Sequence, residues 1–307
     1  MKVMNSRAEQ RKEIRLAPGF LMALPAVSGL LLFVALPFFM AVALSFSNLK
    51  LGSPIPLKFK GFDQYIKILS DPVFLRALYN NGVFALTVVP LQTFLALMLA
   101  LLINRKMKGV TIFRTVFFMP VVFPMALVAV MWQLLYAPGS NGFINSVMEF
   151  ISLGGWEPVD FLRNEHYALP ALIVLSIWQG VGFQMVILLA GLQDIPGRLY
   201  EAAAIDGAGK LQQFLHITLP QLRNSLISVI IITSILSFRL FDQVDILTSG
   251  GPKNATVTVM YKAVRTAFEK QQIASASAMT VVFFLILLLI TALQRKMMRQ
   301  EGKVAGI

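Results

Sequence analysis

The apolar positions of this chain gather into six long runs, at about 18–46, 82–103, 112–136, 168–192, 222–247 and 274–293. At about 20 residues or more, each is long enough as a helix to cross a hydrocarbon layer of roughly 30 Å. The runs are apolar on every face and lack the alternation of membrane strands, so the pattern predicts helices. Pro25, Pro37, Pro90, Pro120 and Pro124 fall inside them and predict kinks. The expectation is an all-α integral membrane protein: an N-terminal tail over 1–17, one membrane domain over 18–293, and a C-terminal tail over 294–307. The first run follows a basic tail, as in a signal peptide, but it is too long for a cleaved segment and reads as an uncleaved first span.

Basic residues orient the spans. With the N-terminus in the cytoplasm, 16 of the 27 Lys and Arg lie inside and 10 outside, with Arg239 within a span. The bias predicts cytoplasmic termini. Of the connections, 48–81 spaces Phe62, Tyr65, Ile66 and Leu69, then Phe74, Leu75 and Leu78, for short interfacial helices, with Asp71-Pro72 as a helix start. The stretch 137–167 reads as an external loop.

Composition removes several classes of function. The chain is 57% hydrophobic and 14% charged, too apolar for a soluble domain of 307 residues. Its net charge of +12 sits beside apolar runs, where it meets anionic headgroups rather than nucleic acid. There is no cysteine, and His166 and His216 are the only histidines, so neither disulfides nor a metal site is expected.

The connection at 193–221 is more structured than a simple loop. Ala202 to Ala204 favour helix, Gly207 and Gly209 interrupt it, and Phe214, Leu215, Ile217 and Leu219 form a second apolar stripe before Pro220. Two short helices carrying small residues suit docking into a partner's groove; the alternative is an ordinary interfacial helix. The GAGK at 207–210 is no phosphate loop, because Ala204 replaces its first Gly and Leu211 its Ser or Thr.

Glu201, Ala202, Ala203, three residues, Gly207, nine residues, Ile217, one residue, Leu219 and Pro220 reproduce the pattern EAA-x3-G-x9-I-x-L-P without a departure. On this motif the chain resembles ABC-importer permeases of the carbohydrate-uptake, maltose and glycerol-phosphate type. The likeness extends over nearly its whole length through GFDQYIKILSDPVFLRAL, LTSGGPKNATVT and ASASAM. The resemblance implies a six-helix type I importer permease fold in a bacterial inner membrane, with both termini cytoplasmic. It implies that Glu201, Ala202, Ala203, Asp206, Gly207, Ile217, Leu219 and Pro220 couple the spans to a separate ATPase dimer. Glu201 would make a polar contact and Gly207 would allow the turn. ATP and magnesium would sit on that ATPase, with no cofactor on this chain. The implied partners are a second permease, as a heterodimer, and an extracytoplasmic solute-binding protein, and the implied cargo is a sugar or sugar-derived solute.

Polar residues inside spans face a bundle interior, a partner or a water-filled path. The fourth span offers Ser176, Trp178, Gln179 and Gln184 beside Gly180 and Phe183, an amide, hydroxyl and aromatic mixture suited to carbohydrate. By resemblance, Ser176, Gln179, Gly180 and Phe183, with Thr233, Leu236 and Ser237 of the fifth span, lie along the substrate path. The alternative is hydrogen bonding between helices, worth about 0.6 kcal/mol per contact. Arg239 is a further candidate, although its place about 26 Å along its helix from Leu222 favours a structural pair with Asp242 at i+3. An ion-coupled secondary transporter would need midplane carboxylates, and only Asp242 and Asp245 come close. A membrane enzyme would need a clustered nucleophile, base or metal set, which is missing.

Overall fold

A computed structural model describes residues 22–104, 109–140 and 142–304. The expected N-terminal tail, the start of the first span and the basic residues Arg105, Lys106 and Lys108 lie outside the described residues. Helices dominate, and among the described residues the only β pairing is an isolated bridge between Ser47 and Phe59.

Four helices are individually long and apolar enough to cross a membrane: α1 (Met22–Ser45), α3 (Pro72–Ile103), α7 (Ala168–Gln193) and the apolar part of α13 (Ile273–Val304). Between α1 and α3 lies the short α2 (Asp63–Leu69). Two bent pairs complete a set of six. In one, α4 (Val110–Val122) and α5 (Met125–Leu135) meet at 101°. In the other, α9 (Lys210–Gln221) and α10 (Arg223–Phe238) meet at 64°. Shorter helices fill the connections: α6 (Phe143–Ile151), α8 (Gly197–Ile205), α11 (Asp242–Leu247) and α12 (Val259–Phe268).

Three boundaries differ from the sequence pattern, each for a local reason. The second span begins ten residues before position 82, because Asp71 caps α3 and Pro72 occupies its first turn. The predicted interfacial helix around Phe74 is the first part of this span. Asn80 and Asn81 do not break it, since their buried side chains hold the 254–259 segment instead. The third span is broken, not merely kinked. Phe123 precedes Pro124 and is held extended, at ψ 138°. The fifth ends at Phe238, and residues 239–241 separate it from α11.

The bundle is built on α7, which packs against α3 on one side and α4 on another, with α10 closing on α3 and α7. Its apolar interior is divided in two. One cluster, around Phe84, Val88, Leu172, Leu175 and Phe238, gathers the ends of the helices near the 48–71 and 248–258 segments. The other, around Ala96, Ala100, Met185, Leu188 and Val229, lies toward the 193–221 segment. Helix α1 packs along α13, with Phe38 and Phe284 at 4.7 Å between ring centroids, and otherwise turns its apolar surface outward.

Candidate functional site

Between the two apolar clusters, near the middle of α3 and α7 and beside the last turns of α10, lies a cavity of about 240 Å³. Helix α7 contributes Ser176, Gln179, Gly180, Phe183 and Gln184. These fall at i, i+3, i+4, i+7 and i+8, a single stripe of an α-helix. Helix α10 adds Thr233, Leu236 and Ser237 at the same spacing. Phe84, Val88 and Gln92 of α3 form a third wall. The bend after Val122 brings in Val121 and Met125, and Gln243 of α11 completes the lining.

Hydrogen bonds orient these side chains. Ser176 Oγ donates to Leu172 O at 2.7 Å and accepts from Gln243 Nε2 at 3.3 Å. Gln184 Nε2 donates to Thr233 Oγ1 at 2.6 Å, which itself donates to Val229 O at 2.7 Å. Ser237 donates to Thr233 O at 2.8 Å. Gln184 Oε1 is buried without a partner. Gly180 makes room for Gln92: a Cβ there would lie 2.1 Å from Gln92 Nε2. No Asp, Glu, Lys, Arg or His lines the cavity among the described residues. No cluster that could hold a metal ion occurs among them either.

Seven of the eight sequence-predicted path residues therefore share one cavity, and Arg239 stands apart. It caps the end of α10, exposed, and the expected pair with Asp242 is not formed among the described residues. The i+3 rule needs continuous helix, and the helix has stopped before Asp242 is reached. Sequence reasoning missed Gln92 and Gln243, and it left Gln184 out of the path. The available signal was the one used for the fourth span, a lone amide in an apolar run.

At one end of the bundle the 193–221 segment forms an exposed elbow. Helix α8 ends in a Schellman turn: Ala208 N–H donates to Ala203 O at 2.8 Å and Gly207 N–H to Ala204 O at 3.1 Å. Gly207 sits at φ +77°, where an L side chain is strained. Helix α9 follows with a π-turn over Phe214–Thr218 ahead of Pro220, whose ring cannot continue regular bonding. Tyr200 and Thr218 hydroxyls, 2.9 Å apart, tie the two helices together. Glu201, Ala202, Asp206 and Pro220 are exposed, whereas Ala203, Ile217 and Leu219 are half-buried. A groove of about 340 Å³ opens beside Ala203, Asp206, Gly207 and Ile217. Ile205, 87% exposed, and Leu211, 71% exposed, stand on the elbow as uncovered apolar knobs.

A bundle long enough to span a membrane, with a polar chamber at mid-height and an exposed elbow at one end, is the architecture of a membrane permease. The chain belongs to the family described as the binding-protein-dependent transport system inner membrane component, which matches residues 92–300. It is 36% identical to the probable ABC transporter permease protein YurN of Bacillus subtilis, over 90% of this chain and 94% of that protein. It is 34% identical to the diacetylchitobiose uptake system permease protein NgcF of Streptomyces coelicolor, over 90% of this chain and 80% of that one. A solved structure of a bacterial ABC transporter involved in the import of the acidic polysaccharide alginate matches with a TM-score of 0.80. The match is 23% identical and covers 95% of this chain and 98% of that one, a likeness of fold. This chain is therefore a multi-pass membrane transport subunit.

Proposed function

We propose that this chain forms half of the translocation path of an ABC importer for a sugar or sugar-derived solute, in a bacterial inner membrane. The observation that carries the reading is the amide- and hydroxyl-lined cavity at mid-height, bounded on both sides by apolar packing. Buried polar groups are retained in a membrane bundle where a polar solute must pass. The sugar class is supported by the relative NgcF, which is named for diacetylchitobiose uptake.

The elbow at 193–221 is the part that receives work. Its end of the bundle faces the cytoplasm, with both termini, and a separate ATPase dimer grips the groove beside Gly207. ATP and magnesium act there, on the partner. Glu201 and Asp206 offer exposed carboxylates for polar contact, Ala202 and Ala203 allow close approach, and Ile217, Leu219 and Pro220 fix the second arm. Thr233 stands ten residues along α10 from the start of that helix at Arg223, about 15 Å. Tilting the elbow therefore moves one wall of the cavity against the others. A second, similar permease supplies the facing half of the path, and an extracytoplasmic binding protein delivers the solute.

The test is uptake by the complete importer reconstituted in vesicles. Glu201→Ala and Gly207→Pro should abolish ATP-driven uptake while the chain still inserts and the cavity still binds solute. Undiminished uptake by Gly207→Pro would remove the elbow from the coupling path.

A further inference from the structure

The charge and hydrogen-bond character of the cavity narrow the solute class further. We propose that the chamber selects an uncharged polyhydroxylated solute and rejects carboxylated or phosphorylated ones, with Gln184 and Gln92 as specificity-determining residues. The inference rests on the cavity being the solute path.

Two observations support it independently. First, the polar groups of the wall are neutral: amides from Gln92, Gln179, Gln184 and Gln243, and hydroxyls such as Ser176. A carboxylate or phosphate entering this half of the chamber would lose its water and meet no cation from this wall, which is a severe penalty in an apolar surround. Arg239, the cation nearest in sequence to the α10 wall, caps the helix end outside the lining. A neutral sugar brings hydroxyls that both donate and accept, and neutral amides satisfy both roles.

Second, the wall holds an acceptor that lacks a donor. Thr233 Oγ1 spends its proton on Val229 O, so toward Gln184 it can only accept. That requirement turns the Gln184 NH2 toward Thr233 and leaves Oε1 as the free end, buried and unpartnered. An ionised carboxylate or phosphate group placed against it cannot donate, whereas a hydroxyl in the same position can, once movement of the α10 wall exposes the carbonyl. Gln92 adds a second amide, 4% exposed and held over Gly180. The Gly180 notch sets how far that amide reaches into the chamber. The alginate importer shares this fold and carries an acidic polysaccharide. Charge selection therefore lies in the lining and not in the fold.

The experiment uses the assembled importer, nucleotide-free and without its binding protein, so that only the permease chamber selects. Ligand-observed NMR titrations would compare maltose or trehalose, a glucuronic-acid-containing disaccharide of the same size, and glycerol 3-phosphate. The neutral sugar should bind more tightly than either anion by about tenfold or more. Gln184→Met keeps the side-chain length, removes the carbonyl, and should weaken neutral sugar by ~2- to 10-fold. Gln179→Arg should narrow or reverse the preference against the anions. Equal or tighter binding of the anions by the unmodified importer, with Gln184→Met still weakening all ligands, would overturn the charge selection and leave the path intact. Binding and uptake untouched by every cavity variant would overturn the path, and this inference with it.

Discussion

Asp71 does three things at once at the start of α3. It accepts hydrogen bonds from Val73 N–H at 2.8 Å and Phe74 N–H at 3.4 Å, and it pairs with Lys262 of α12, whose side chain is 11% exposed. Partial burial pushes its carboxyl up, but the Lys262 hydrogen bond and charge and the two backbone N–H groups outweigh this and hold it below the ordinary value of 3.8. A carboxyl lowered in the folded state stabilises the fold above its ordinary value, and that contribution is lost as pH falls through the lowered one. Asp71→Asn leaves Lys262 unpaired and should cost about 1–2 kcal/mol, less than a fully buried pair because Asp71 is 34% exposed. Thermal unfolding in detergent should show a lowered Tm near pH 7, with the gap to the unmodified protein shrinking as pH falls below 3.8 and through the lowered value. At this scale the sequence was legible where a local rule applies. Asp71-Pro72 reads as a helix start because capping depends on immediate neighbours alone. The neighbour of Asp71 across space, Lys262, is 191 positions away along the chain and carries no local mark.

Among the elements, the long apolar runs announce themselves, while breaks and short helices depend on contacts that no window of sequence contains. Pro120 and Pro124 both predict a kink, yet only the second breaks the span, because Phe123 turns extended there. Helix α6 lies within a stretch that the sequence predicts as a loop, and the residue that holds it in place explains the difference. Asn145, 1% exposed, donates to Val159 O and Ala137 O and accepts from Val159 N–H and the Trp156 indole at 3.0 Å each. The polar side chain faces the protein, while Phe143, Val147 and Phe150 of the same helix face outward, the reverse of a soluble amphipathic helix. Asn145→Leu should leave the half-buried Val159 N–H and indole without their acceptor, at about 1 kcal/mol each. Limited proteolysis should then cut the 152–160 segment faster, with the six spans intact. Cleavage at the unmodified rate would mean that Asn145 does not hold the segment.

Across the whole molecule, the division of the interior into two apolar clusters with a polar layer between them makes alternating access mechanically simple. Well-packed clusters move as units, and the weakly packed layer between them is where relative motion is cheapest. The resemblance could mark Gln179 and Thr233 as path residues from two separate spans. That they line one cavity together with Gln92 is a property of how α3, α7 and α10 cross. The chain contains no cysteine, so single introduced thiols can report on this layer without background. In the reconstituted importer, Gln179→Cys and Ser237→Cys should react with a water-soluble thiol reagent at rates that differ between the nucleotide-free and ATP-trapped states. Bound solute should slow both. Leu134→Cys, on the 73% exposed outer face of α5, should keep one rate throughout. If all three positions responded alike, the motion would be a general loosening of the bundle. A response confined to the two cavity positions is the outcome expected of an elbow that tilts the α10 wall relative to α3 and α7.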